Sequence, residues 1–515
     1  MTARRVYTIC ALALVLGLGA LIRIFKLGQV PAGFFCDEAA FGVNAYSILT
    51  SGKDEFGRSY PLFFRSFGDY KEAIPTYSVV PLVYAFGLNE WSVRLMSVIY
   101  GMINLALMYA IGSSLKGPRL GVLTAFAAAL MPWMFHYDRV AFHCSPYLTT
   151  MLSAIFLLLS AQHHHPVRIS GFLMFLGLSL YTYSPAKLMA PLLFIAGLCV
   201  YWRYLRAHWD CLLLGLIVLG IIVLPVLQAI SSGEALARAG QLGLLRTGSP
   251  SGAIVAKWVS NYRVQILPST LFIQGEPTAI HRHLTNFFPP LLISTAPFLV
   301  LGIAQLIRKA RQPSYLFLLI CIVMFPLGAT LTGAPFTHRS ILGAPLAALS
   351  IALGLEAIFS IGSTSRGFSR WMTCSAAVCI IAIAINAASY FQRYLFAYPL
   401  TSSDYFGWQY GPREIIGYFR QHEEEYDELI VPGRFNAPRI FFRFYAPDGL
   451  CVDRCFVGDV SLFNPEKRQL FALTPIQVTA NEMRFDFSNR HTIAYPNGET
   501  AFVLGTLRLR DAPGP

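Results

Sequence analysis

Apolar residues fall in blocks of roughly 17–22, the length that crosses about 30 Å of hydrocarbon at 1.5 Å rise per residue. Read this way, the chain predicts about eleven membrane-spanning helices. They lie near Val6–Ile22, Trp91–Ser113, Leu120–Phe135, Pro146–Ala161, Ile169–Leu180, Leu188–Trp202, Cys211–Ile230, Phe288–Ile307, Tyr315–Leu331, Ile341–Ile361 and Trp371–Tyr390. The stretch Ile74–Phe86 is shorter and Pro-rich, and reads as a re-entrant or interfacial helix. Beyond Tyr390 the long apolar runs stop and a mixed pattern begins. Gly411–Gln421 has the spacing of an amphipathic helix; Leu429–Val431, Arg439–Tyr445 and Ala501–Leu509 read as strands. The expectation is a polytopic α-helical membrane domain over residues 1–390, with an external loop at 25–90, and a small α/β domain over 391–515.

Composition agrees. Hydrophobic residues make up 55% of the chain and charged residues 13%, with a mean hydropathy of +0.53, which excludes an ordinary soluble domain. The basic clusters Arg4/Arg5, Lys116/Arg119, Arg168, Arg203/Arg206, Arg308/Lys309/Arg311 and Arg366/Arg370 fall on alternate short loops. Positive charge favours the cytoplasmic side, so the N-terminus is expected there, with the 25–90 loop and the tail outside. The net charge of +13 then belongs to lipid headgroups rather than to nucleic acid. The first span reads as an uncleaved anchor, because Arg23 and Lys26 follow it without a small-x-small site. Ten cysteines show no metal spacing; Cys451 and Cys455 can pair in an oxidising compartment, across a tight loop.

Against this background the acidic pair Asp37-Glu38 stands out, with Gly68-Asp69-Tyr70-Lys71 in the same loop. Ionisable residues at membrane level are costly and mark functional sites. The bland alternative is that Asp37 caps a helix beginning at Ala39 while Glu38 favours its positive end.

The segments Pro31-Ala-Gly-Phe-Phe-Cys-Asp37-Glu38-Ala39, Gly52-Lys-Asp-Glu-Phe-Gly57, Gly68-Asp69-Tyr70-Lys71, Asn89-Glu90-Trp91-Ser92-Val93-Arg94-Leu95, Gly177-Leu-Ser-Leu-Tyr181-Thr-Tyr183 and His338-Arg339 carry a resemblance. Together they resemble the GT-C membrane glycosyltransferases, specifically the protein O-mannosyltransferase and lipid A aminoarabinose transferase superfamily. The likeness spans most of residues 5–390. It implies a GT-C-like bundle with juxtamembrane helices in the first loop. It also implies transfer of a monosaccharide from a polyprenyl-phosphate carrier to an acceptor hydroxyl at the external face of the inner membrane. A hydroxyl is a poor nucleophile near neutral pH, so a carboxylate must accept its proton. Asp37 is the expected base and the reaction is expected to invert the anomeric carbon. The departing lipid phosphate needs fixed cations, for which Lys71, Arg139 and Arg339 are candidates.

Other residues follow from the same resemblance, each beside a structural alternative. Glu38 either tunes Asp37 by like-charge coupling, binds the acceptor, or joins Asp37 and Asp69 around a divalent metal; metal independence is the favoured expectation, with no cofactor. Asp69 orients Lys71 or makes a turn. Lys71 binds phosphate or snorkels to the headgroups. Asp138 and Arg139 contact substrate or pair locally. Tyr181, Tyr183 and Lys187 wall a cavity near carrier or sugar, Lys187 as a point charge. Arg339 contacts phosphate or anchors a helix end. His281 and His283 read as loop histidines and His163–His165 as headgroup contacts. The stretch Tyr405–Tyr410 stacks on sugar rings or packs on the membrane domain. Two other classes remain: a flippase for a lipid-linked sugar, disfavoured because no internal repeat or paired broken helix is found, and a non-catalytic scaffold. The sugar and the acceptor (glycan, lipid or protein) are not written in the sequence.

Overall fold

The computed structural model describes residues 3–163, 165–233, 251–277, 280, 282–284, 288–330, 335–361 and 368–510. Eight helices among these are long and apolar enough to cross a membrane. They include α1 (Ala3–Ile24), α4 (Glu90–Lys116), α7 (Cys144–Ala161), α9 (Ala186–Ala207) and α10 (Trp209–Ser231). The other three are Pro313–Thr330, Gly343–Ser360 and Ala377–Ser402. The three remaining expected spans are shorter helices: α5 (Pro118–Ala129), α8 (Arg168–Ser179) and Ala296–Arg308. Proline explains two of the shortenings. Pro132 lacks an amide hydrogen and forces Met131 into extended backbone, so the helix breaks there and restarts as α6 (Pro132–Tyr137). Pro289 and Pro290 keep the chain before Ile293 out of the helix.

The first loop is structured. α2 (Cys36–Ser51) leads to a hairpin of β1 (Phe63–Ser66) and β2 (Asp69–Glu72), then to α3 (Ala73–Phe86), the expected short helix. Ser66 pairs with Asp69 across the two-residue turn Phe67-Gly68, whose φ angles of 51° and 77° are those of a type I′ turn. Asn89 caps α4, its side chain accepting from the Ser92 amide.

The tail is an α/β domain, as expected. Its five strands are β3 (Glu428–Pro432), β4 (Cys455–Gly458), β5 (Gln469–Leu473), β6 (Phe485–Ala494) and β7 (Thr500–Leu509), in the order β4-β3-β5-β7-β6. β3 runs parallel to β4 and β5; β7 is antiparallel to β5 and β6. Strand alternation divides the core. Ile430, Phe471 and Leu473 pack in a small cluster with Val460 and Phe485, while Leu429, Val431, Leu470 and Ala472 join the main core. One expected strand is corrected: Arg439–Tyr445 is a helix, which buries Ile440, Phe441, Phe442 and Phe444. Cys451 and Cys455 form a disulfide.

The tail and the first loop meet at one end of the bundle. Arg413 pairs with Glu90 at 3.0 Å, and Arg443 with Glu55 at 2.9 Å. At the other end of α4, roughly 40 Å away at 1.5 Å per residue, Lys116 pairs with Glu356.

Candidate functional site

The site is assembled where α2, the β1–β2 hairpin and the starts of α7 and α9 converge. Phe35 occupies the N-cap of α2, and Asp37 lies inside its first turn rather than at the cap. The Asp37 carboxylate is partly exposed and faces Lys71, with Nζ 3.6 Å from Oδ2. Lys71 Nζ also lies 4.0 Å from Asp69 Oδ2. Asp69 and Lys71 stand two residues apart on β2 and therefore share a face. Asp69 is buried, and its Oδ1 accepts from the Tyr70 amide at 2.8 Å.

Glu38 is elsewhere. It is fully buried, and Arg94 grips it through Nε at 3.0 Å and Nη2 at 3.1 Å. The amides of Phe35 and Ala141 donate to the same carboxylate. Arg94 further donates to the carbonyls of Leu27, Pro31 and Gly33. The pair thus ties the 27–33 segment to α4 and to the turn after α6.

Asp138 and Arg139 are likewise held by contacts within the bundle. Asp138 pairs with Arg23 Nε at 2.8 Å and accepts from Ser145 Oγ at 2.7 Å, with both members of the ion pair buried. Arg139 is buried and donates to the carbonyls of Ile22, Arg23 and Val30. Both residues fasten α1 and its exit to the bundle.

Tyr181 supports the hairpin: its hydroxyl donates to the Ile222 carbonyl and its ring stacks on Phe63. Tyr183 stacks on His143 with centroids 5.5 Å apart, and His338 lies 6.4 Å beyond it. Lys187 donates to Glu72 Oε1 at 2.7 Å, while His143 Nε2 is 3.7 Å from Glu72 Oε2. Burial alone would raise the Glu72 carboxyl, but Lys187 and then His143 hold it below its ordinary value. Arg339 is buried, with its guanidinium 4.8 Å from the Phe336 ring centre.

Sequence reasoning passed over four residues. Glu72 and His143 complete the Lys187 cluster. Arg282 sits over the Phe35 ring at 4.2 Å; burial lowers its basicity, and the charge of Asp37 is the first to raise it again. Glu276 is buried, accepts from the amide and hydroxyl of Thr337, and is pushed by burial up to about 7. The adjacency of Glu72 to Lys71 was one available signal. His283 is buried and stacks with Phe336 and His338 at 4.7 Å from each, those two rings being 5.5 Å apart; His281 lies outside the described residues. Trp408, from the aromatic tail stretch, is fully buried against Phe142 and His136, with its indole N–H donating to Tyr398.

Glu38 is saturated by Arg94 and two amides, and the Lys71 ammonium occupies the space between Asp37 and Asp69 where a bridging cation would lie. No three His, Cys, Asp or Glu side chains gather around a common point among the described residues.

Residues 79–228 match the family model of dolichyl-phosphate-mannose-protein mannosyltransferases. The structure is similar to ArnT from Cupriavidus metallidurans in the apo state, with a TM-score of 0.58 and 13% identity over 98% of each chain. It is similar to the same enzyme bound to undecaprenyl phosphate, with a TM-score of 0.55, again at 13% identity over 98% of each chain. It is also similar to the oligosaccharyltransferase AglB from Archaeoglobus fulgidus, in complex with an inhibitory peptide and a dolichol-phosphate. That TM-score is 0.52 at 14% identity, covering 76% of this chain and 56% of the other. The chain therefore spans little more than half the length of that relative. Among curated proteins none matches. At these identities the likeness is one of fold.

Proposed function

The chain has the GT-C membrane fold, and from that premise we propose that it is a glycosyltransferase using a polyprenyl-phosphate-linked monosaccharide. Asp37 is the general base. The acceptor hydroxyl attacks the anomeric carbon, its proton passes to Asp37, and the bond from that carbon to the carrier phosphate breaks with inversion. The departing lipid monophosphate takes the electron pair and keeps it as negative charge beside Lys71 and Arg282. Lys187 already serves Glu72, so its part is to hold the hairpin against α9; Arg339 and Tyr183 line the carrier side.

The observation that carries this reading is the Asp37–Lys71 pair: a partly exposed carboxylate with an ammonium 3.6 Å away, at the bundle end that also holds the tail. The ammonium between Asp37 and Asp69 supports a metal-independent reaction. The active face is placed outside the cytoplasmic (inner) membrane, with the N-terminus inside. The alternating basic loops support that orientation, and so does the disulfide in the tail, since disulfides persist in oxidising compartments. The acceptor, whether glycan, lipid or protein, is not specified by these residues.

Purified protein given radiolabelled polyprenyl-phosphate monosaccharides tests the proposal. Wild type is expected to release or transfer sugar with or without EDTA, and Asp37→Asn to lose roughly 10²–10⁴-fold. Loss of the wild-type reaction in EDTA would overturn metal independence. An unimpaired Asp37→Asn enzyme would remove Asp37 as the base.

A further inference from the structure

Helix α2 begins with a vacancy in its own chemistry. The first amides of a helix have no partner within it, and a polar N-cap side chain ordinarily supplies an acceptor. Phe35 cannot do so. The Cys36 amide, one residue before Asp37, instead donates to Gln409 Oε1 at 2.7 Å. Gln409 comes from the tail, 373 residues away in sequence, and is fully buried. Its own amide is fixed by donation to the Asn436 carbonyl at 2.7 Å.

Three further contacts extend the grip along the helix. Gly33 has φ +93°, and a Cβ there would lie 2.5 Å from the Trp408 carbonyl, so the tail backbone presses directly on the turn before α2. A Cβ at Gly42 would lie 2.5 Å from the Phe444 ring, which also packs on Phe34 with centroids 4.8 Å apart. Asn44 donates to Glu55, which Arg443 holds from the other side. Start, middle and exit of the helix thus rest on the tail domain.

We propose that Gln409 is a positioning residue for Asp37, and that the tail domain sets the placement of the base-bearing helix. The inference rests on the reading of Asp37 as the base, but its physical content, control of the first turn of α2 by a tail side chain, is measurable without activity. A tail seated in this way couples whatever binds it to the chemistry, since a shift of the 405–410 segment moves the amide next to Asp37.

The test uses the full-length protein in nanodiscs. In Gln409→Met, which keeps the volume and removes the acceptor, hydrogen exchange of amides in residues 36–41 is expected to rise about tenfold while exchange in β3 and β5 stays unchanged. With a working transfer assay, kcat is expected to fall about tenfold with KM for the lipid donor within twofold. Gly42→Ala, which pushes α2 from Phe444, is a second and independent variant expected to lower kcat without raising KM. Arg468→Ala, in the exposed Asp427 pair of the tail, is the control expected to leave both unchanged. Unchanged exchange at residues 36–41 in Gln409→Met would overturn the proposal even if transfer is never observed. A rise in KM alone would also overturn it. A wild type without transfer activity, by contrast, would count against the base assignment and leave the exchange result standing on its own.

Discussion

Arg94 holds Glu38 with two nearly parallel hydrogen bonds of 3.0 and 3.1 Å, and both side chains are shut away from solvent. Removing one member of such a pair leaves an uncompensated buried charge. Glu38→Ala is expected to destabilise the protein by about 3–5 kcal/mol, seen as a lower melting temperature in detergent. Arg94→Lys is expected to do the same, because a point ammonium cannot bridge two carboxylate oxygens and three carbonyls. A Glu38→Ala protein of normal stability but abolished transfer would return Glu38 to the reacting groups.

Lys71 and Lys187 separate by experiment. Lys71→Met removes the ammonium facing Asp37 and is expected to cost on the order of 10²–10³-fold in kcat, as for a lost donor to developing charge. Lys187→Met strands Glu72 instead, and is expected to lower the melting temperature at neutral pH more than Lys71→Met does. Steady-state kinetics and thermal unfolding on both variants check this; equal kinetic effects would put Lys187 at the phosphate.

Glu276 predicts a pH-dependent stability. Burial raises it from 4.5 to about 7, so the folded chain binds a proton there that the unfolded chain has released. Stability from this group is full below pH 4.5, falls as pH rises towards 7, and is flat above; the change is on the order of 3 kcal/mol. Glu276→Gln keeps an acceptor for Thr337 and removes the titration. Its melting temperature should exceed the wild type's at pH 8 and match it near pH 5. Parallel curves across that range would show that Glu276 titrates normally.

Orientation is open to direct labelling. With the tail outside, a membrane-impermeant maleimide should reach Cys451 and Cys455 from the external face of sealed vesicles, and after reduction alone. Labelling in inverted vesicles instead would reverse the topology.

The helical pattern was readable because a bilayer demands long uninterrupted apolar runs, and proline accounts for where α5 and Ala296–Arg308 fall short. Arg439–Tyr445 was misread as a strand because a seven-residue aromatic-rich segment is too short for its period to be decisive, although Arg439 and Arg443 stand at helical i, i+4 spacing. The nearness of Asp37, Asp69 and Lys71 was legible because all three lie in one loop. Glu38, Asp138 and Arg139 were not separable from them by sequence. What distinguishes them is a partner brought by folding: Arg94 for Glu38, Arg23 for Asp138, and three backbone carbonyls for Arg139. Arg282 had no local signal, since its relation to Asp37 exists in three dimensions alone.

The two-residue turn Phe67-Gly68 carries a further meaning. It fixes the pairing of Ser66 with Asp69 and of Phe64 with Lys71, and so decides which alternate side chains of β2 look towards Asp37. A slip of one residue would exchange the face bearing Lys71 for the one bearing Glu72. The side turned to Asp37 would then carry Glu72 in place of the Asp69–Lys71 pair, and Asp37 would lose its ammonium neighbour. The charge that Asp37 meets is therefore set by the handedness of a single bend, and a mutation at Gly68 alters it without touching a charged residue.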